Sequence, residues 1–343
     1  MCKFGVHVLG RMTIAKSSFP RTAEWRVLRQ IIDRIEPLYV ANFTNGLNEF
    51  KRSRIDLREL ERLIQNREWS KIDRIIPFDG ILDAAKLDEI YSGALLETTS
   101  SQQEFMRRSV QRLLGVDASG FAVNLDNMSV QRWLTNQVGT LVRGITAESQ
   151  QAIQQAITAS IAEGLPPRAA ARTIQNSIGL TRRQVDAVAN FESKLRNGDF
   201  GKLTPFQRRS VIGSRRGAQF DRETLLNLSE DRIESLTSDY AQRQLRHRAT
   251  VIAQNELQET LNFGQSETYD QAFQQGLANV ETTRRQWIVT DDDRLCSICR
   301  PLAGIQVPAK DPWVLPDGTL SYEPKAHIGC RCAQTLIFEG ERR

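Results

Sequence analysis

The chain has 343 residues, of which 40% are hydrophobic and 25% are charged, and 46 basic against 41 acidic residues give a net charge of +5. These values are ordinary for a globular protein, and the length exceeds one typical hydrophobic core, so we expect two or three domains. The charge excess permits contact with nucleic acid but is weaker than the basic footprint of a dedicated duplex-DNA-binding protein.

No apolar run approaches the roughly 20 residues of a transmembrane helix, so no membrane association is expected. Glycine and polar residues interrupt the N-terminal segment, which argues against a secretory signal and favours a protein made and kept in the reducing cytosol. In that compartment, clustered cysteines are interpreted as metal ligands before they are interpreted as disulfides. Cys2 stands apart from the other four cysteines and is interpreted as an unpaired thiol.

Helical periodicity dominates the first hundred residues, after an alternating segment at 1–20 that indicates a short strand or an extended arm. Apolar residues recur in steps of three and four from Trp25 to Ile35, and Pro37 is expected to end this helix. Further helical stretches are predicted before residue 96. The polar segment ETTSSQQ at 97–103 is predicted to be a linker, which places a domain boundary there.

The next part of the chain, at about 104–276, is predicted to be a helical body that ends in a long helix from about residue 222 to 276. Between about residue 104 and this long helix, cap and turn residues are predicted to divide the chain into shorter helices. The predicted boundaries are, in chain order, an N-cap at Thr146, a break at Gly164, Pro166 and Pro167, an end at Gly179, an N-cap at Thr181, and an end at Asn197 and Gly198.

The character of the sequence changes after Gly276. Alternation around Trp287 and the segment TLIFE at 335–339 indicate strands, whereas five prolines between positions 301 and 324 exclude a long helix there. Four of the five cysteines and one of the three histidines fall in this last part. The candidate metal ligands are Cys296, Cys299, His327, Cys330 and Cys332.

The spacing of these residues is typical of a tetrahedral metal site. Two cysteines three positions apart, Cys296 and Cys299, can wrap a tight turn around one ion, and residues 330 and 332 of an extended chain project to the same side. Cys296, Cys299 and Cys330 are the first three predicted ligands. His327 and Cys332 compete for the fourth position, and the other one is expected to lie just outside the ligand shell.

A structural zinc ion is the favoured interpretation of this cluster. A proline-rich segment has a small core, and structural zinc contributes on the order of 10 kcal/mol of apparent binding free energy, against about 3–4 kcal/mol for a disulfide that closes a loop of this length. Disulfide pairing and unliganded thiols remain the alternatives. Catalytic zinc is less favoured because such sites keep an open position. The acidic run at 291–293 is interpreted as a turn rather than a magnesium or nuclease site.

These predictions define a mainly α fold: an elongated helical body with a small C-terminal α+β or irregular module held by zinc. The expected domains are an N-terminal helical region at 1–100, the body at 101–276 and the Cys/His module at 277–343.

The C-terminal pattern resembles that of the Mu F-like minor head proteins, which are head morphogenesis proteins of tailed double-stranded DNA phages. The resemblance covers about residues 105–336, and Trp287 with the Cys/His residues is its specific part. Upstream, the segment at 248–265 resembles the long helix of the family, which usually reads Ile-Ala-Arg-Thr-Glu. Here it reads Ile-Ala-Gln-Asn-Glu at 252–256, and residues 1–100 show no assignable resemblance.

The resemblance implies a non-enzymatic minor capsid protein, present in several copies, that joins the procapsid in the host cytoplasm and lies in the virion near the portal vertex. The implied partners are the portal protein, the major capsid protein and packaged double-stranded DNA, whose packaging or ejection it would influence. A basic stretch is interpreted first as a solvated loop, and it is also the candidate contact with DNA or with an acidic portal surface. Its residues are Lys202, Arg208, Arg209, Arg215 and Arg216.

A second interpretation is a zinc-containing DNA-binding regulator with a helix-turn-helix at about 166–190. Arg182 and Arg183 would begin its recognition helix. An amphipathic helical hairpin gives the same pattern and is favoured. A hydrolase is not supported, because the three histidines are far apart in sequence and no Gly-x-Ser-x-Gly motif is present.

Overall fold

The computed structural model describes residues 23–78, 80–212, 228–290 and 295–338. The arm predicted at 1–20, the acidic run at 291–293, and Arg215 and Arg216 lie outside the described residues. The helices are α1 (Ala23–Arg54), α2 (Leu57–Gln65), α3 (Ile72–Ile75), α4 (Ala84–Leu114), α5 (Met128–Ala162), α6 (Pro167–Ser177), α7 (Arg182–Arg196), α8 (Pro205–Ile212) and α9 (Glu230–Gln274). The strands are β1 (Thr283–Ile288), β2 (Gln306–Pro308), β3 (Trp313–Val314), β4 (Leu320–Ser321) and β5 (Ala333–Phe338). The mainly helical fold with a small C-terminal strand module is thereby confirmed.

Helix α1 does not end at Pro37, which lies inside the helix. The predicted end was wrong because the apolar stripe continues: Tyr39, Phe43 and Leu47 are almost fully buried on the following turns. The proline removes one backbone hydrogen bond, but the burial of these side chains favours continuation of the helix.

The linker predicted at 97–103 was also wrong, because this segment lies within α4. Thr98, Thr99 and Gln102 of this segment are buried and form hydrogen bonds within the fold. Thr98 and Thr99 donate to the carbonyls of Ala94 and Leu95 at 2.8 and 2.9 Å, and Gln102 accepts a hydrogen bond from Tyr269 at 3.3 Å. A polar stretch therefore forms part of the interior, and the division predicted at residue 101 falls inside a continuous helix.

Helix α5 begins at the N-cap Asn127, whose side chain accepts from the backbone N–H of Val130 at 2.9 Å. The N-cap predicted at Thr146 was wrong, since Thr146 lies in the interior of this helix. Buried residues run along one face from Val130 through Ile145 to Ala156, so the apolar pattern has no break where a second helix could begin.

The remaining boundaries in the body follow the prediction. A break separates α5 from α6 at Gly164–Pro166, and α6 ends before Gly179. Thr181 caps α7 and forms a capping box with Gln184. The long helix predicted from about 222 is observed as α9 from its N-cap Ser229, whereas residues 222–227 lie outside the described residues.

The centre of the helical body is α9, which packs against α1, α4 and α7, while α5 packs against α6 and α7. One large hydrophobic core includes side chains from α1, α2, α4, α5, α6, α7 and α9. In the C-terminal module, β1 lies between β2 and β5 in an antiparallel sheet, and β3 and β4 form a separate two-stranded hairpin.

The turn between α6 and α7 depends on Gly179, whose φ is +79°. A Cβ atom there would lie 2.7 Å from Leu47 Cδ1 and 3.2 Å from Leu245 Cδ1. Gly179→Ala is expected to lower the free energy of unfolding by about 3 kcal/mol, because backbone strain and overpacking each cost about 1–3 kcal/mol. Chemical denaturation followed by circular dichroism measures this change.

The control for Gly179→Ala is Gly164→Ala, because Gly164 has a φ of +60° but no atom within 4 Å of the position that a Cβ would take. Backbone strain alone should cost about 1 kcal/mol there. Equal losses in the two variants would show that the contact with Leu47 is not tight.

Candidate metal centre

Cys296 and Cys299 are held in a compact turn that precedes a short 3-10 turn at Arg300–Leu302. The backbone N–H of Cys299 donates to the Sγ atom of Cys296 at 3.3 Å, and the N–H of Arg300 donates to the carbonyl of Cys296 at 3.1 Å. Both cysteine side chains are thereby directed to the same side of the turn, as the three-residue spacing predicts.

His327 and Cys330 lie in a second turn that precedes β5. The backbone N–H of Cys330 donates to the carbonyl of His327 at 3.1 Å, and Gly329 has a φ of +78° between them. The Nδ1 atom of His327 lies 2.8 Å from the carbonyl oxygen of Ile328, so Nδ1 carries the proton and donates it. The Nε2 atom is then left to face the sulfurs, which is the usual arrangement of a metal-binding histidine.

The other four predicted ligands lie around Cys299. Its Sγ atom lies 3.8 Å from Sγ of Cys330 and 3.1 Å from Nε2 of His327, which is also 3.1 Å from Sγ of Cys296. Cys332 completes a group with Cys299 and Cys330, in which all ligand atoms lie within 4.8 Å of one another. The ligand atoms thus form two groups of three that share Cys299, one with Cys296 and His327 and one with Cys330 and Cys332. Tetrahedral zinc places two ligand atoms roughly 3.5–3.8 Å apart, so the two groups together offer the donor atoms of one such ion after adjustment between the two turns.

The electrostatics of the cluster favour a divalent cation. Hydrogen bonds from the Cys299 and Cys332 thiols lower the pKa of Cys330, whereas the hydrogen bond to Cys330 raises the pKa of Cys299. Hydrogen bonds within the cluster therefore favour negative charge on the sulfur of Cys330 over that of Cys299. A bound divalent ion would stabilise several thiolates together and release the thiol protons. The four described cysteines are free thiols, so the cluster could bind a metal ion.

Two tryptophans form the small core around the cysteines. Trp287 on β1 and Trp313 on β3 are fully buried and meet edge to face, with ring centroids 5.3 Å apart. In this core the hydrogen bond with Cys299 acts to lower the pKa of Cys332, but the hydrogen bond with Cys330 and burial together raise it. Aromatic packing and sulfur ligands therefore occupy the same core, and each cysteine is fixed by more than its own turn.

A row of amide side chains on α9, not predicted from the sequence, connects this helix to the C-terminal module. Gln258 donates to the carbonyl of Cys332 at 3.0 Å, and Gln265 donates to the carbonyl of Gln334 at 3.0 Å. Asn255 accepts from the backbone N–H of Gly329 at 2.5 Å. We call Asn255, Gln258, Asn262 and Gln265 the amide row. Their alternating spacing of three and four residues places them on one face of α9, and this spacing was the available sequence signal.

The amide row satisfies one backbone N–H and one carbonyl of β5 through Gln265, and backbone groups just before this strand through Gln258 and Asn255. Strand β5 lies at one edge of the three-stranded sheet. An edge strand exposes unpaired N–H and C=O groups, and burial without partners would be costly. Asn255, one of the two residues that depart from the usual family helix, has a structural role here, because it binds the turn that contains two candidate ligands.

The predicted basic residues do not form one continuous free patch in the described part of the chain. Lys202 pairs with Asp199 at 2.9 Å, and Arg208 donates to the carbonyls of Leu203 and Gly201 at 3.1 and 3.3 Å. Arg209 is exposed on α8. A contact of this stretch with DNA or with the portal stays a prediction.

The helix pair predicted at 166–190 is present as α6 and α7. Arg182 and Arg183 are exposed at the start of α7, but the rest of this helix packs along α5 and α9. Gln184 also donates to the carbonyl of Gln244 on α9 at 3.1 Å. The pair is an integral part of the helical body, as expected for a helical hairpin.

Fold and site together define a helical protein with a long helix that leads into a small Cys/His module. Residues 229–335, which comprise α9 and almost all of that module, match the family described as Phage Mu protein F like protein. This match supports the Mu F-like phage head morphogenesis family, and the resemblance predicted from the sequence is confirmed over these residues.

Comparisons with the curated proteins and with the solved structures found no match. The Mu F-like family consists of structural phage head proteins, which implies a component of the virion. Within the described ranges, no helix is both long enough and apolar enough to span a membrane.

Proposed function

We propose that this protein is a non-enzymatic minor head protein that binds the portal region during procapsid assembly and remains in the virion near the portal vertex. The observation that carries the proposal is the family match over α9 and the Cys/His module. Several copies in each particle, a contact with the major capsid protein and an influence on DNA packaging or ejection belong to the same proposal. The exposed Arg209 on α8 supports a backbone contact with packaged DNA.

The proposal includes one structural zinc ion in the C-terminal module. Support comes from the convergence of the Cys296–Cys299 turn and the His327–Cys330 turn, and from the buried sulfurs of Cys330 and Cys332. The ion would be held by four of these five residues, and its role would be to fix two turns and β5 relative to one another. When bound, zinc supplies a rigid tetrahedral cross-link that needs no open coordination position.

Co-sedimentation tests the proposed partner. The purified full chain is mixed with the portal protein or with empty procapsids of the same phage, and the fractions of a sucrose gradient are compared with those of the chain alone. We expect the protein to move with the portal and with the procapsids. A protein that sediments alone but binds one specific duplex in a salt-dependent way would contradict the proposal and favour the helix-turn-helix regulator.

A further inference from the structure

A groove with a cavity volume of about 640 Å³ lies between α5 and α9, directly beside the turn that contains His327. Residues 137–148 of α5 form one wall, residues 248–259 of α9 form the other, and Ile328, next to His327 in the chain, also lines the groove. Each wall spans about 16 Å at 1.5 Å per residue, which is three helical turns. The groove is therefore as long as a short α-helix, and a groove between two helices is a common binding site for an amphipathic helix.

Both walls of the groove include aliphatic side chains. Leu141 and Ile145 lie on α5, and Val251 and Ile252 lie on α9. Between them, Gly144 has no atom within 4 Å of the position of a Cβ, so another backbone can approach α5 closely there. An inserted helix with apolar residues three and four positions apart would contact both walls.

Apolar side chains at the rim remain exposed. Ile328 is 79% exposed although it lies between His327 and Gly329, and Val251 is 38% exposed on α9. An inserted segment that covers Ile328 would remove apolar surface from water and gain binding free energy. Because Ile328 is next to His327, a partner that covers Ile328 would also contact the turn that the proposed metal would hold.

The charges in the groove indicate the chemistry of the occupant. Glu148 pairs with Arg248 at one end, and Glu259 pairs with Lys325 at the other. Glu256, between them, accepts hydrogen bonds only from neutral donors among its described contacts, namely the Tyr91 hydroxyl at 2.5 Å and the Gln137 amide at 2.8 Å. Among the charged residues that line the groove, Glu256 is the one without a basic partner, so a cationic side chain complements it.

We infer that the α5–α9 groove holds an amphipathic helix of about three turns from the portal protein, with aliphatic side chains between the walls and one lysine or arginine paired with Glu256. This inference rests on the proposed function and names the surface through which that function would operate. The turn at 327–330, which Asn255 binds and which the proposed metal would also hold, would form part of the binding site.

Binding of fluorescently labelled full chain to purified portal protein of the same phage tests the inference. Ile328→Asp is expected to weaken binding by about 10–100-fold, because burial of an isoleucine contributes about 1.5–3 kcal/mol and tenfold corresponds to 1.4 kcal/mol. Val251→Glu, on α9 and away from the cysteines, is expected to weaken binding at least tenfold. Glu256→Gln, which keeps hydrogen-bonding capacity, is expected to weaken it about tenfold and to reduce its salt dependence.

The matched control is Leu38→Asp, a substitution at a leucine on α1 that is 60% exposed and distant from the groove walls in the chain. It is expected to leave binding unchanged. Circular dichroism and metal content identify any variant that has lost its fold or its ion. If the unmodified chain fails to bind the portal, the proposed function is wrong; if it binds and all three groove variants bind equally well, only the groove inference is wrong.

A photo-crosslinking amino acid placed at position 251 or 328 provides a second measurement. Adducts with a helical segment of the portal that carries a basic residue would support the inference. Adducts with a second copy of this chain, or adducts from position 38 but not from the groove, would overturn it.

Discussion

The double variant Cys296→Ser and Cys299→Ser is expected to lose its metal, to expose its C-terminal module to proteases, and to fail to enter phage heads. Both sulfurs lie in the turn that faces His327, and Cys299 also contacts Cys330, so the substitution removes the centre of the cluster. Structural zinc contributes on the order of 10 kcal/mol of apparent binding free energy, far more than a module with short strands can replace.

The effect should be confined to the module, because the large helical core contains none of these residues. Elemental analysis should find one zinc per unmodified chain and none in the variant. Limited proteolysis should then cut the variant after α9 while the helical body persists. Incorporation into heads is measured by protein composition of purified particles.

The control changes the two residues between the cysteines, as Ser297→Ala and Ile298→Val. Both positions are exposed, and the ligands stay in place, so metal content, protease resistance and incorporation should be unchanged. Unmodified protein without metal, or a double cysteine variant that keeps a resistant module and enters heads normally, would refute the role assigned to the cluster.

The parts of the fold that the sequence predicted correctly are those in which one local signal determines the structure. Thr181 is followed by Gln184 at the spacing of a capping box, and the observed helix begins there. The turn at Cys296 and Cys299 was predicted for the same reason, since two cysteines three positions apart can direct both sulfurs to one ion. His327 lies close to both, as the pattern indicated.

The wrong predictions concern segments whose structure depends on distant partners. The segment ETTSSQQ is typical of a linker only if its side chains are assumed to face water, yet Thr98 and Gln102 are fully buried. Gln102 obtains its partner from Tyr269, which lies on another helix and 167 positions away in sequence. Local composition contains no information about such a partner, and the same limit concealed the amide row of α9.

The substitution Gln265→Leu is expected to loosen the contact between α9 and β5 although its volume change is small. Gln265 is fully buried, and its amide donates to the carbonyl of Gln334 at 3.0 Å while its side-chain oxygen accepts from the N–H of the same residue at 3.5 Å. Leucine would leave both backbone groups buried without partners. Since each such group costs about 1–3 kcal/mol, we expect a loss of about 4 kcal/mol.

Hydrogen exchange measured by mass spectrometry distinguishes this local effect from global unfolding. Peptides that contain β5 should exchange faster in Gln265→Leu, whereas peptides from α6 and α7 should keep their protection, because those helices belong to the large core of the body. The control is Gln151→Leu, which changes an exposed glutamine on α5 and should leave β5 protected.

Unchanged exchange in β5 of the Gln265→Leu variant would mean that the amide row contributes nothing measurable, and that the proposed metal and the tryptophan core alone hold the module in place. Faster exchange in β5 with full metal content would instead show that α9 positions the strand independently of the ion, so the long helix and the cluster would act as two separate supports for one surface.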